Sequence, residues 1–252
     1  MSSFIKVLSK LNSICGTSYA EKWDNVGLLV NSTTKNTIKT ILVTNDLTEN
    51  VVEEAVLAKA GLVISYHPTI FKPIKSIQQS YWKDRVISKC LANSIAIYCP
   101  HTGLDNRING SSGKTSPGSG RIGNIKCQKP LSECIDIFLR HLKLDSLRIS
   151  IGRKKSLSSK VQCIAVCAGS GGSFVKNDEM KFVDLFITGE ASHHELLDFQ
   201  HMGVSVITVG HTNSERGYLK DVFTKELQES FPEVDVKFSE RDCETFINIL
   251  KE

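Results

Sequence analysis

The stretch TIKTILVTNDLTENVVEEAVLAKAGLVISY, residues 37–66, decides the fold. Its opening, TIKTILVTN (37–45), is apolar and rich in β-branched residues, the composition of a buried strand. ENVVEEAVLAKA (49–60) reads as a helix, and LVISY (62–66) is a second strand. Strand, helix, strand at this spacing is a βαβ unit, whose strands run parallel and whose crossover is right-handed. A further helix near 79–93 and the strand IAIYC (95–99) extend the pattern. Upstream, residues 2–15 form an amphipathic helix with Phe4, Val7, Leu8, Leu11 and Cys15 on one face, followed by the loop YAEKWDNVGLLV (19–30). Within that loop Asp24 and Asn25 have no partner that the sequence identifies, and Asp46 reads as a cap for the helix after its strand.

Between 106 and 122 the sequence changes to NRINGSSGKTSPGSGRI, which has no hydrophobic period and reads as a linker or lid. The chain therefore divides into an N-terminal α/β lobe, 1–122, and a C-terminal α/β lobe, 123–252. The second lobe begins with a helix near 130–142 and strands near 145–151 and 160–167. The turn AGSGGS (168–173) that follows is a candidate for holding a substrate phosphate on backbone N–H groups. VDLFITGE (183–190) is a buried strand ending in Glu190, and SHHELLDFQHM opens a helix with Ser192 and Glu195 as a capping box. VSVITVG (204–210) is the last core strand, a helix runs to about Ser230, and the strand VDVKF and a C-terminal helix complete the order.

Composition limits the function classes. The chain has 252 residues, 40% hydrophobic and 23% charged, enough for one large domain or two modest ones. A formal net charge of +4, from 31 Lys and Arg against 27 Asp and Glu, gives no electrostatic footprint for direct nucleic-acid binding. No apolar run reaches the length of a membrane span. Eight dispersed cysteines without C-x-x-C pairs read as reduced thiols of an intracellular protein. The expected compartment is cytoplasmic, with the nucleus and the mitochondrion left open.

Three strands deliver a histidine at their carboxyl ends: His67 after LVISY, His101 after IAIYC and His211 after VSVITVG. Two of them have a carboxylate four residues on, Asp105 and Glu215. Residues i and i+4 share a helix face, and ligands of open α/β sheets sit at the carboxyl edge of the strands. Imidazole with carboxylate is the donor set of zinc, manganese, iron or cobalt rather than calcium. Glu190, His193 and His194, at another strand mouth, are the candidates for proton transfer or for supporting the ligands.

Six stretches occur in this order: EKWDNVGLLV (21–30), SYHPTIFKPIKSI (65–77), YCPHTGLDN (98–106), AVCAGSGGSF (165–174), FITGEASHHELLDF (186–199) and GHTNSERGYL (210–219). Together they resemble the family named for NGG-one-interacting factor three, whose bacterial members carry the name GTP cyclohydrolase one type two. The resemblance covers nearly the whole chain, in the compact form without an inserted domain. It implies two interlocked α/β lobes with mostly parallel or mixed sheets, a metal site in the inter-lobe cleft, and a homohexamer. It also implies His67, His101, Asp105, His211 and Glu215 as ligands of one or two divalent transition-metal ions, zinc, manganese or iron. Where the family's H-H-P motif has its first histidine, this chain has Tyr66, one imidazole fewer. The expected function is that of a metal-dependent hydrolase acting on a nucleotide or other small phosphorylated or ring-containing substrate. The alternative is a metal-binding regulatory or scaffold protein with transcription-related protein partners.

Overall fold

In the computed structural model, residues 2–32, 37–107 and 118–246 are described; the Gly/Ser-rich residues 108–117 and the end of the chain from 247 lie outside them. The chain folds into two compact units, residues 1–118 with 218–243 and residues 119–217 with 244–252.

The first unit is built on the βαβ stretch. Thr40–Thr44 and Leu62–Ser65 pair in parallel with every residue of both strands buried, and Glu49–Leu57 is the helix between them. The sheet order is Asp235–Phe238, Thr40–Thr44, Leu62–Ser65, Ala96–Cys99, Gly27–Val30, parallel except for the last, antiparallel pair. The expected strand 37–45 is interrupted: Thr37–Ile38 pairs with Ser2–Ser3, and only Thr40–Thr44 enters the main sheet. Phe4–Ile14 is the amphipathic opening helix, with Phe4, Val7 and Leu11 buried on one face of the sheet. On another core Val51, Val52 and Ala55 pack with Val86, Ile87 and Cys90 of the helix Trp82–Ala92. Gly27–Val30, read from sequence as loop, is an edge strand too short for its period to register.

The second unit has the sheet order Arg121–Pro130, Lys160–Ser170, Leu185–Glu190, Ser205–Thr208, Arg148–Ser150. Its three central strands are parallel and both edges are antiparallel. Both sheets are therefore mixed. The helices Leu131–Leu142 and His193–Met202 supply side chains to two separate cores of this unit. The second of these helices has the expected capping box, with Ser192 and Glu195 each satisfying the other's backbone N–H. Arg121 and Ile122, read as linker, lie in an edge strand whose largely exposed residues leave no alternation to recognise.

The path at the end of the chain explains why the two units do not follow a single cut. The helix expected to run to Ser230 consists of Asn213–Tyr218, a π-helical turn at Leu219–Phe223 and Thr224–Ser230. Thr224 Oγ1 donates to the Leu219 carbonyl across the turn at 2.7 Å. Leu219, Phe223, Leu227, Phe231 and Val236 then enter the core of the first unit, and Val236 pairs with Ile41. Phe223 is fully buried, so Phe223→Ala is expected to destabilise the protein by about 3–5 kcal/mol in chemical denaturation. Loss within the ordinary surface range of about 0.5 kcal/mol would refute its place in that core.

Candidate metal centre

In the first unit the strands Leu62–Ser65 and Ala96–Cys99 end side by side, bringing Tyr66, His67 and His101 together. The His67 and His101 rings are 5.6 Å apart and Tyr66 lies 5.0 and 5.6 Å from them. The carboxylate behind His101 comes from Asp24, in the loop that the sequence left without a partner. Asp24 has no solvent-exposed side-chain surface, and both of its oxygens lie 2.8 Å from His101 Nδ1. It also accepts from Thr102 Oγ1 at 2.5 Å, Thr102 N at 3.1 Å and Asn25 N at 2.8 Å. Burial alone would raise the Asp24 carboxyl. The hydrogen bonds from His101 and Thr102, the His101 charge and the Asn25 N–H outweigh it and hold the group below the usual carboxylate value.

With Nδ1–H donating to Asp24, the lone pair of His101 sits on Nε2, the form in which imidazole binds metal. His101 adopts this position at φ +32°, a conformation costing about 1–3 kcal/mol for a residue with a Cβ. His67 is oriented in the same way: its Nδ1 lies 3.0 Å from the Asp46 carboxylate. Asp46 is thus not the helix cap expected from sequence. Thr48 takes that role, accepting from Val51 N, because it stands one residue before the helix. Tyr66 is 3% exposed and donates its hydroxyl to Asp105 Oδ1 at 2.7 Å. Where the H-H-P motif has its first imidazole, the chain has a phenol hydrogen-bonded to the candidate carboxylate ligand.

The second unit presents His211 and Glu215. His211 Nδ1 is 2.9 Å from Glu190 Oε1, and its Nε2 is 3.3 Å from Glu215 Oε1. Glu190 is half-exposed, whereas Glu215 is 5% exposed. Backbone close approach makes room for the Glu215 carboxylate. Gly169 has φ +65°, and a Cβ there would lie 2.5 Å from Glu215 Oε1 and 3.3 Å from His211 Nε2. Gly169 N donates to Ser214 Oγ at 2.8 Å, and Ser214 Oγ donates to the His211 carbonyl at 2.6 Å.

These bonds change the reading of the AGSGGS turn. The strand continues through Ser170, and the N–H groups of Gly169 and Gly171 bond to Ser214 and Glu190. These two N–H groups are thus committed within the unit, and Gly169 and Gly171 also provide space: a Cβ at Gly171 would collide with Thr188 Oγ1. His193 and His194 stand exposed in the first turn of their helix, with rings 5.5 Å apart. Glu190 is the one of the three proton-transfer candidates that touches a proposed ligand through a hydrogen bond given above.

Residues 3–244 match the family described as Duf34/NIF3 (NGG1p interacting factor 3). The chain belongs to the NIF3 family. NIF3-like protein 1 of Drosophila melanogaster is 40% identical over 244 residues, covering 88% of this chain and 82% of that protein. The Schizosaccharomyces pombe NIF3 homolog is 35% identical, covering 90% and 89%, and the Saccharomyces cerevisiae NGG1-interacting factor 3 is 32% identical, covering 95% and 94%. Among solved structures, the Bacillus cereus protein related to NIF3 has a TM-score of 0.87 at 19% identity, covering 98% of this chain and 99% of its own. Reduced HcgD from Methanocaldococcus jannaschii has a TM-score of 0.80 at 21% identity, covering 94% and 98%. At these identities the structures establish that the NIF3 fold is shared.

Two substitutions separate positioning from ligation. Asp24→Asn removes the charge behind His101 and is expected to weaken zinc binding about 10–100-fold in a competitive chelator titration; unchanged affinity would show that His101 needs no carboxylate. Gly169→Ala is expected to destabilise the fold by about 1–3 kcal/mol and to lower zinc uptake, because the added methyl occupies the place of the Glu215 carboxylate. Normal uptake in a folded Gly169→Ala protein would remove that carboxylate from the ligand set.

Proposed function

We propose that the chain is a metal-dependent hydrolase that uses His67, His101, Asp105, His211 and Glu215 as ligands for divalent zinc, manganese or iron. The observation that carries the reading is that each of the three histidines has a carboxylate at Nδ1: Asp46 for His67, Asp24 for His101 and Glu190 for His211. Metal-binding imidazoles are held in this way, since the outer carboxylate fixes the tautomer and raises the basicity of the other nitrogen. The donor chemistry, nitrogen and carboxylate oxygen without thiolate, suits these ions. When bound, such an ion lowers the pKa of water and polarises an electrophilic centre.

The chain's own groups have distinct tasks in this reading. Asp24, Asp46 and Glu190 orient imidazoles. Tyr66 holds Asp105 Oδ1 through its hydroxyl. Glu190, half-exposed, can exchange a proton with solvent, and His193 and His194 are further carriers at the start of the following helix. The substrate class is a nucleotide or another small phosphorylated or ring-containing molecule, as for a GTP cyclohydrolase-like enzyme. A homohexamer in the cytoplasm or nucleus belongs to the same reading and rests on the family resemblance alone.

A second reading, a metal-binding scaffold for transcription-related protein partners, is favoured by the name of the yeast relative, NGG1-interacting factor 3. Metal analysis with a turnover assay separates the two. Wild-type protein purified without chelators is expected to carry about one or two transition-metal ions per chain and to hydrolyse GTP or a related compound. Glu215→Ala is expected to lose metal and lower turnover by at least about 100-fold. Metal-loaded protein without turnover on a broad panel of phosphorylated and heterocyclic substrates would shift the reading to the scaffold.

A further inference from the structure

The loop Trp23–Asp24–Asn25 does more than orient His101. Asn25 Nδ2 donates to the Ile70 carbonyl at 2.6 Å, tying the loop to the segment that follows His67. Trp23 stands edge-on to His101 on one side and to Phe71 on the other, at centroid distances of 6.2 and 6.1 Å. Trp23 is 62% exposed and Phe71 45% exposed, although large aromatic side chains normally contribute to cores. Three rings, His101, Trp23 and Phe71, thus lead from a candidate metal ligand to the surface.

Phe71 also lines a cavity of about 430 Å³ between the segment from Thr69 to Ser76 and the start of the helix Trp82–Ala92. That volume lies in the range of small-molecule sites. Lys72, Lys75 and Lys83 line it. Its one acid, Asp84, is buried and accepts from Gln78 N at 2.8 Å, which leaves the cavity with an excess of positive charge. Thr69, also in the lining, is 7% exposed, and its Oγ1 has no hydrogen-bond partner among the described residues. A buried hydroxyl without a partner is costly unless something else satisfies it.

We infer that this cavity receives the phosphates of a phosphorylated heteroaromatic compound whose planar ring stacks on Phe71, with Trp23 at its edge. The inference rests on the hydrolase reading for what happens to the ring, but the binding itself does not require turnover. Lys72, Lys75 and Lys83 are the cations for the phosphates, and Thr69 Oγ1 supplies a donor to a phosphate oxygen. Phe71 contributes the stacking that a heteroaromatic base offers to any aromatic face.

The chain has two tryptophans, so in a Trp82→Phe background Trp23 is the sole indole reporter. GTP is expected to quench its emission saturably, with guanosine binding more weakly and inorganic tripolyphosphate competing with GTP. Lys72→Ala/Lys75→Ala/Lys83→Ala is expected to raise the dissociation constant for GTP about tenfold and leave that for guanosine unchanged. Phe71→Ala is expected to weaken both ligands by about fivefold or more. Unchanged GTP affinity in the triple variant, or no saturable quenching by GTP, overturns the inference. Metal content and turnover, read on the same preparations, separate the two readings: lysine variants that bind and turn over GTP normally remove the pocket and spare the hydrolase. An intact pocket in protein that takes up no metal removes the hydrolase and spares the pocket.

Discussion

A carboxylate without solvent contact must be fully paired, and Asp24 is the group on which this constraint falls. An uncompensated charge at that depth would be strongly destabilising, so its loop has to approach the Ala96–Cys99 strand end and collect donors from His101, Thr102 and Asn25. The same bonds settle three further features. They support His101 at a positive φ, fix the nitrogen that carries its proton, and place Trp23 and Asn25 on either side of the carboxylate. Residues that look like irregular loop are therefore fixed to the end of that strand by hydrogen bonds.

The second unit solves a related problem with space. Glu215 is nearly buried, and its position depends on the missing side chain at Gly169. Gly189 is constrained as well: a Cβ there would lie 2.6 Å from the Gly169 carbonyl and 2.7 Å from Ser214 Oγ. Ser214 joins Gly169 to the His211 backbone through its hydroxyl. The sheet brings two glycines and a serine from three segments together, and the imidazole–carboxylate pair occupies the resulting recess. In the first unit a charge is satisfied by many donors; in the second, backbone close approach clears a place for one.

Much of this was legible before the fold was known. Hydrophobic runs located the parallel strands because strands buried on both faces have unmistakable composition, and the histidines followed as their carboxyl-end residues. His211 with Glu215 was readable because helical spacing is a local property. The pairing of Asp24 with His101 was not, since 77 residues separate them and nothing in either segment specifies the other. Asp46 was misread for a similar reason: its local surroundings suit a helix cap, but a hydroxyl two residues later competes successfully and leaves the carboxylate to His67. The short edge strand Gly27–Val30 and the exposed strand Arg121–Pro130 lacked a period to read. The return of residues 218–243 to the first unit depended on parallel pairing with Thr40–Thr44, a contact of large sequence separation.

Tyr66, standing where the H-H-P motif has its first histidine, changes the surroundings of Asp105. A phenol donates one hydrogen bond and, protonated, contributes no charge at neutral pH. With Tyr66 Oη at 2.7 Å from Oδ1, that oxygen accepts from a neutral donor, so the contact adds no charge of its own beside the carboxylate. Because Tyr66 is buried, the phenol is held by packing and cannot swing aside as an exposed side chain would. An imidazole at that position could offer a nitrogen lone pair or carry a proton's charge; a phenol that donates its one hydrogen does neither, so at Tyr66 the chain keeps a hydrogen bond to Asp105 and gives up a nitrogen donor.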